Sequence, residues 1–128
     1  MTTAVATPAS TLTWFEIPAT DFGRAVRFYE TLFATPLVHT SDFPNMAVFP
    51  YERPGVSGCV AYGDGHRPCA DGTVVYLNCE GRIDQILSRL EAAGGRIVES
   101  KNLIPNIGWV AQIRDSEGNR IGLHDSVF

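Results

Sequence analysis

The chain has 128 residues, a length that suits one domain, and its 45% hydrophobic content is enough to build an apolar core. Its formal net charge is −4 and it contains no run of Lys or Arg, so nucleic acid is excluded as a partner. No stretch approaches the roughly 18 apolar residues that span a bilayer, and the Thr/Ala-rich start lacks the pattern of a secretory signal. We therefore expect a cytoplasmic protein with no membrane partner.

In chain order, the first predicted element is a largely apolar strand from Leu12 to Ile17. A helix follows, capped by Thr20 or Asp21, because apolar residues recur at spacings of three and four. These residues are Phe22, Ala25, Val26, Tyr29, Leu32 and Phe33. Three short strands at about 36–41, 46–50 and 58–62 complete this part.

The segment 44–49 (PNMAVF) recurs in pattern at 105–110 (PNIGWV), an offset of 61 residues, and the same plan follows in the second half. It has a strand from Thr73 to Leu77, a helix that ends at Gly94-Gly95, and strands at 96–101, 108–114 and 120–125. The helix is predicted from Ile83, Ile86, Leu87, Leu90 and Ala93. We expect a flexible N-terminus at 1–11 and one domain at 12–128, divided into module one (12–63), a loop (64–72) and module two (73–126).

Three cysteines, Cys59, Cys69 and Cys79, are odd in number and form no CxxC pair. This argues against a disulfide framework and against a zinc knuckle. We expect reduced cysteines that are mostly structural.

Two βαβββ modules in so short a chain resemble the vicinal oxygen chelate superfamily, which includes glyoxalase I, bleomycin-resistance proteins and extradiol dioxygenases. The most specific pieces are 16–21 (EIPATD), 25–29 (AVRFY) and 115–123 (DSEGNRIGL), and the resemblance covers about 12–126. It implies an α+β fold in which the modules form a cupped mixed sheet. It also implies a homodimer in which module one of one chain completes a cup with module two of the other.

Metal-using members of this superfamily take their ligands from the first and last strands of each module. Aligned to that pattern, the four positions here are Trp14, Ala61, Val75 and Gly122, and none of these side chains binds a divalent ion as His or a carboxylate does. Shifting the register by one or two residues adds at most two good ligands, Glu16 and His124. We therefore expect no catalytic metal and no other cofactor.

Side chains two apart on a strand share a face, so Glu16 should join Trp14, and His124 should join Gly122, inside the cup. By the same rule Cys59 and Arg120 face the cup, whereas Phe15, Ile17 and Tyr76 pack on the helix side. Trp109 fits the core and the cup lining equally well. His66 and Cys69 are expected in a solvated loop, with a position over the cup as the alternative.

Three functions remain open. The first is a metal-independent small-molecule binding protein, with ligand contacts from Trp14, Cys59, Ala61, Val75, Trp109, Arg120 and Gly122. The second is a metal-free isomerase or lyase for a small carbonyl compound, with Glu16 or His124 as acid and base. Against it stands a structural role, in which Glu16 pairs with Arg120 and His124 fills a strand end. The third is a metal-dependent lactoylglutathione lyase or dioxygenase.

Overall fold

The computed structural model describes residues 6–126, and residues 1–5, 127 and 128 lie outside the described part. The predicted flexible N-terminus, 1–11, therefore falls partly outside it. Residues 6–11 are exposed and belong to no helix or strand. None of the described helices has the length and apolar character needed to cross a bilayer.

Module one folds as one strand, one helix and three further strands, in the predicted order. The bounds are β1 Trp14–Pro18, α1 Phe22–Phe33, β2 Val38–His39, β3 Met46–Val48 and β4 Ser57–Ala61. The sheet order is β1-β4-β3-β2, in which β1 and β4 are parallel and the other neighbours are antiparallel. The first and last strands of the module therefore lie side by side.

Module two repeats this plan. Its bounds are β5 Tyr76–Asn78, α2 Ile83–Ser88, α3 Leu90–Ala93, β6 Arg96–Ile104, β7 Gly108–Arg114 and β8 Arg120–Asp125. The sheet order is β5-β8-β7-β6, with β5 and β8 parallel. Two four-stranded mixed sheets with helices confirm the predicted α+β fold. The second helix is divided at Arg89, whose Nε donates a hydrogen bond to the Leu32 carbonyl of α1 at 2.9 Å.

Helix α1 follows directly from its sequence. Its apolar residues lie on one buried face, and the Asp21 side chain caps its start by accepting a hydrogen bond from the Arg24 N–H at 3.0 Å. The helix ends at Ala34, which adopts a left-handed conformation with φ 52°. In module two, α3 ends in the same way at Gly94, with φ 107°, as predicted from the Gly94-Gly95 pair.

One apolar core serves both modules. It joins the inner side of α1, α2 and α3 to one face of each sheet through residues that include Ile17, Tyr29, Leu32, Val60, Ile86, Ile113 and Leu123. Because α1 packs against α2 and α3, all helices lie on the same side of the two sheets. The opposite faces of both sheets therefore point away from the core on the other side of the molecule.

The contact between the modules, here called the seam, is fastened by the turn between β7 and β8. Glu117 Oε1 accepts hydrogen bonds from the N–H groups of Thr20 and Asp21 at 2.9 and 2.7 Å. Arg24 Nε donates to Glu117 Oε2 at 2.7 Å. Asn119 Nδ2 donates to the Pro18 carbonyl at 2.8 Å. The end of β1 and the start of β8 are thus tied together.

A buried hydrogen bond supports this turn from below. The Tyr29 hydroxyl donates to Asp115 Oδ2 at 2.6 Å, and burial together with the Asp115 charge raises the pKa of Tyr29 well above its ordinary value. The pKa of Glu117 is lowered: burial opposes its charged form, but the Arg24 side chain and the Asp21 N–H favour it more strongly. The turn therefore depends on Glu117 being ionised.

Replacing Glu117 by Ala should lower the free energy of unfolding near neutral pH by about 2 kcal/mol, because charge-assisted hydrogen bonds are lost. A carboxylate with a lowered folded-state pKa stabilises the fold above its unfolded-state pKa and loses this contribution as pH falls through the folded-state value. The stability difference between wild type and variant should therefore be constant above about pH 5 and shrink as the pH falls below that value, as measured by urea unfolding.

The exposed Glu91 of α3 provides the control, and Glu91→Ala should change the stability little at any of these pH values. A Glu117→Ala variant as stable as the wild type near neutral pH would contradict the role given to this turn.

Candidate functional site

The outer face of module one carries the side chains predicted for the first half of the cup. In the parallel pair β1–β4, Glu16 lies opposite Cys59 and Pro18 opposite Ala61. Their neighbours Ile17 and Val60 belong to the core, so Glu16, Cys59, Ala61 and Trp14 lie on the other face. Cys59 and Ala61 are fully covered, whereas Trp14 remains 38% exposed. Trp14 and Glu16 therefore form the accessible part of this face.

The inter-module loop contacts Glu16 through His66. The Nε2 atom of His66 lies 2.8 Å from Glu16 Oε1, and the two side chains are 24% and 38% exposed. The loop is fastened to module two, because the Cys69 N–H donates to Asn119 Oδ1 at 3.0 Å and the Cys69 carbonyl accepts from the Arg120 N–H at 3.4 Å. The expectation of a solvated loop was wrong for His66, which adopts the alternative position over the outer face.

Within the described residues, His66 Nδ1 is buried and has no hydrogen-bond partner. With Nε2 facing a carboxylate, the neutral ring places its proton on Nε2 and a lone pair on Nδ1. A buried lone pair without a donor is unfavourable by itself. The pairing of Glu16 with His66 therefore leaves the Nδ1 lone pair of His66 without a partner.

Module two presents a row of polar side chains on its outer face. Arg120 Nε donates to Gln112 Oε1 at 2.6 Å, and Gln112 Nε2 donates to the Tyr76 hydroxyl at 2.7 Å. The Tyr76 ring lies across Gly122, where an added Cβ would meet the ring at 2.3 Å. The small residue at position 122 thus makes room for Tyr76, which is 47% exposed. The hydroxyl proton of Tyr76 remains available for a further acceptor.

Two predicted orientations were wrong: Tyr76 faces outward, and Val75 packs against the core. The cause is the strand register. The Ala19 N–H donates to the Ala61 carbonyl, and the equivalent bond in module two joins Cys79 to His124. Cys79 follows Ala19 by 60 residues, but His124 follows Ala61 by 63, so one offset of 61 cannot match both strands.

A slip of one residue turns a side chain to the other face of its sheet. In the register of the structure, Glu16 and Tyr76 occupy equivalent positions, and so do Cys59 and Gly122. Ala61 is instead equivalent to His124. The two halves of the outer face therefore differ in chemistry, one acidic with a thiol and the other phenolic with a cation.

A cleft of about 350 Å³ opens along the seam and contains both predicted charged groups. Glu16 lines it from β1, and Arg120 lines it from β8. Most of the remaining wall is apolar, with Leu12, Phe15, Ile17, Val75 and Ile121. We call this space the seam cleft. Arg120 bonds to Gln112, and the described residues contain no ion pair between Arg120 and Glu16.

His124 and Trp109 lie elsewhere. His124 Nε2 is 2.8 Å from the Ile107 carbonyl, which fixes it as a hydrogen-bond donor, and His124 does not line the seam cleft. Trp109 packs against the core, with Lys101 Nζ 4.5 Å from its ring centre. Of the two positions left open for Trp109, the structure thus selects the core.

The superfamily resemblance raises the question of a divalent metal ion, and the donor set does not fit one. Among residues 6–126, no three His, Cys, Asp or Glu side chains come together in a way that could hold an ion. Burial, and then the Glu16 charge, raises the pKa of Cys59 to about 11, although Trp14 acts in the opposite direction. Cys59 is therefore protonated near neutral pH in the metal-free protein, and an ion there would have to displace that proton.

The sequence pattern did not identify Gln112, placed Tyr76 on the helix side, and offered the position of His66 over the cup only as an alternative. Gln112 was detectable as a polar residue within an otherwise apolar stretch of the strand 108–114. His66 lies 50 residues from Glu16, and only the path of the loop brings the two together.

Known structures with the same fold were found by comparison of coordinates. A glyoxalase/bleomycin resistance protein from Albidiferax ferrireducens T118 superposes with a TM-score of 0.71 at 18% identity, covering 91% of this chain and 99% of that chain. A glyoxalase/bleomycin resistance protein/dioxygenase family enzyme from Burkholderia phytofirmans PsJN has a TM-score of 0.71 at 11% identity, with 90% and 98% coverage. TnmS3, an antibiotic binding protein from Streptomyces sp. CB03234, has a TM-score of 0.66 at 18% identity, with 95% and 100% coverage.

By sequence, no protein-family model and no curated protein matches the chain significantly. The superpositions nevertheless show that the chain has the fold of the glyoxalase/bleomycin resistance proteins, as the resemblance of its sequence implied. At these identities the likeness establishes the fold, and the activity has to be argued from the site.

The three cysteines should differ in reactivity. Cys59 and Cys79 are buried, and burial is the main cause that raises their pKa values to about 11 and about 12. Cys69 is exposed. Iodoacetamide near pH 8 should therefore label the native protein once, at Cys69, as measured by mass spectrometry of the intact chain and of its peptides.

The variant Cys69→Ser is the control and should remain unlabelled until it is unfolded. Rapid native labelling of Cys59 would contradict the covered thiol described above.

Proposed function

We propose that this protein is a metal-independent small-molecule binding protein of the glyoxalase/bleomycin-resistance type, with its ligand in the seam cleft. The observation that carries the proposal is the joint presence of Glu16 and Arg120 in one mostly apolar cleft. Ligand sites typically combine apolar walls with a few polar groups that fix orientation, at volumes of about 300–1,000 Å³. The antibiotic binding protein among the structural neighbours supports a binding role by analogy of fold.

The chemistry of the cleft suggests which groups the ligand carries. Arg120 uses Nε for Gln112, and its terminal nitrogens suit an anionic group of the ligand. Glu16 is held at Oε1 by His66, and its second oxygen suits a hydroxyl or amine donor. The exposed ring of Trp14, two residues from Glu16 on the same face, is not part of the cleft lining and offers a stacking surface beside it. The proposed ligand is therefore a small, partly apolar molecule with one acidic group and one donor.

The other predicted contacts and the assembly remain part of this proposal. Cys59, Ala61 and Gly122 support the surfaces under Glu16 and Tyr76, and Val75 belongs to the wall of the seam cleft. We also propose a homodimer in the cytoplasm. Exposed apolar side chains on and beside β6 support an association of chains: Ile97, Val98, Leu103, Ile104 and Ile107.

A thermal-shift screen of small aliphatic acids that also carry a hydroxyl or amine donor should yield compounds that raise the melting temperature, because they bind only the folded state. Trp14→Ala should reduce the shift, because the stacking surface beside the cleft is lost. Arg120→Gln should remove it for acids but keep it for neutral analogues, because only the acids need the guanidinium.

Arg96→Gln is the matched control, since Arg96 is exposed on β6 and does not line the seam cleft. A shift that persists undiminished in both Trp14→Ala and Arg120→Gln would count against the seam cleft as the binding site.

A second function, a metal-free isomerase or lyase acting on a small carbonyl compound, is favoured by the pair Glu16–His66. In this proposal the substrate is an α-hydroxy carbonyl compound, and His66 Nδ1 removes the proton from the hydroxyl-bearing carbon to give an enediolate, as the hydroxyl proton passes to the carbonyl oxygen. The imidazolium then returns its proton to the former carbonyl carbon and the hydroxyl-bearing carbon becomes the new carbonyl, with no net change in redox state. Glu16 orients the ring and stabilises the imidazolium. Because Nδ1 is covered, the loop that carries His66 has to move before the substrate reaches it.

If the second function holds, Glu16→Gln and His66→Ala should each lower turnover at least about a hundredfold, the usual contribution of general base catalysis, while ligand affinity changes little. His124→Ala, at a ring bonded to a backbone carbonyl, should leave turnover largely intact. Equal loss of binding and turnover in the Glu16→Gln variant would argue for a binding role alone. Loss of turnover in His124→Ala with full activity in His66→Ala would reverse the assignment of the base.

A further inference from the structure

A second and larger cleft, of about 760 Å³, opens at the part of the seam next to β5. Its floor contains Phe15, Phe33, Phe49 and Leu77, and its walls are the loop between β3 and β4 and the junction of β5 with α2. We call it the aromatic cleft. It shares only Leu12, Phe15 and Val75 with the seam cleft among its lining residues.

The aromatic cleft exists because the last loop of each module contacts the helix of the other module in a different way. The turn between β7 and β8 binds the start of α1 through Glu117 and Arg24. At the corresponding place in the other half, the loop between β3 and β4 carries Glu52, and the start of α2 carries Arg82. Within residues 6–126 neither side chain makes a hydrogen bond or an ion pair, although both line the cleft. The seam is thus closed at one end and open at the other.

The floor of the open end is aromatic. The rings of Phe15 and Phe49 are 5.8 Å apart, and those of Phe33 and Phe49 are 6.3 Å apart. Four large apolar or aromatic side chains around the cleft are exposed: Leu12, Tyr51, Val56 and Tyr76. Single exposed apolar residues are ordinary, but a group of them around one concavity is typical of a ligand groove.

The charge in the cleft selects the ligand. Arg82 is the only cation among the described residues that line it, and its guanidinium lies 5.8 Å from the centre of the Phe33 ring. Glu80 is occupied, since its Oε1 accepts hydrogen bonds from the N–H and hydroxyl of Ser126. Glu52 and Glu80 also line the cleft, so an anionic group fits only at Arg82, where the guanidinium lies against the Phe33 ring. A guanidinium beside an aromatic floor matches a carboxylate attached to an aromatic ring.

We propose that the aromatic cleft is a second ligand site, for an aromatic carboxylic acid whose ring packs on the phenylalanine floor and whose carboxylate binds Arg82. The site uses neither Trp14 nor Glu16 nor Arg120. It therefore stands whether or not the seam cleft binds a ligand.

The test compares three probes that differ only in the end group: 4-phenylbutyrate, 4-phenylbutan-1-ol and 4-phenylbutylamine. Each is titrated into the ¹⁵N-labelled full chain by NMR. The acid should bind most tightly and shift the amide signals of Phe33, Leu77 and Arg82. Arg82→Gln should weaken the acid about tenfold or more, as expected for a charge-assisted hydrogen bond, and leave the alcohol unchanged.

Three controls separate this site from the seam cleft and from an unfolded variant. Arg96→Gln and Trp14→Ala should leave the affinity for the acid unchanged. Val56→Trp places a large side chain in the cleft and should abolish binding of all three probes while the amide spectrum stays folded. Tightest binding of the amine, full affinity of the acid for Arg82→Gln, or absence of binding by every probe would each overturn the proposal.

Discussion

The hydrogen bonds of Glu117 and Asn119 across the seam are the interaction on which the candidate site depends. They tie the end of β1 to the start of β8, and these are the strands that carry Glu16 and Arg120. Neither charged residue makes a cleft by itself, because each lies on an open sheet face. The Tyr29–Asp115 hydrogen bond supports the same turn from within the core. Stability and site geometry are therefore coupled at one short turn of the chain.

The molecule is asymmetric despite its internal repeat because the equivalent connections of the two modules differ. A short acidic turn closes one end of the seam, whereas the longer loop between β3 and β4 leaves the other end open. A repeated βαβββ plan has thus produced a small, mostly apolar cleft with two charged side chains and a larger aromatic one. In this fold the connections between strands, more than the strands themselves, determine where ligands can fit.

Much of the fold was predictable because its determinants are local. The spacing of apolar residues predicted α1, Asp21 predicted its cap, and Gly94 predicted the end of α3. The orientation of Tyr76 was not predictable from the repeat. The offset between equivalent residues is 60 for β5 and 63 for β8, so the single offset of 61 read from the sequence assigns the side chains of β5 to the wrong face. The contact of His66 with Glu16 depends on the path of a loop, for which sequence periodicity carries no information. The faces of side chains on β1, β4 and β8 were thus predicted correctly, whereas those on the short strand β5 and in the inter-module loop were not.

The central claim is that Glu16 and Arg120 form one ligand-binding cleft without a metal. The most direct measurement is a crystal structure of the full chain grown with the strongest acid from the thermal-shift screen. The account predicts electron density for the compound between β1 and β8, with its acidic group at the Arg120 guanidinium and a donor at the Glu16 carboxylate. A compound bound away from both residues, or a divalent ion coordinated at the outer face of the sheets, would contradict it.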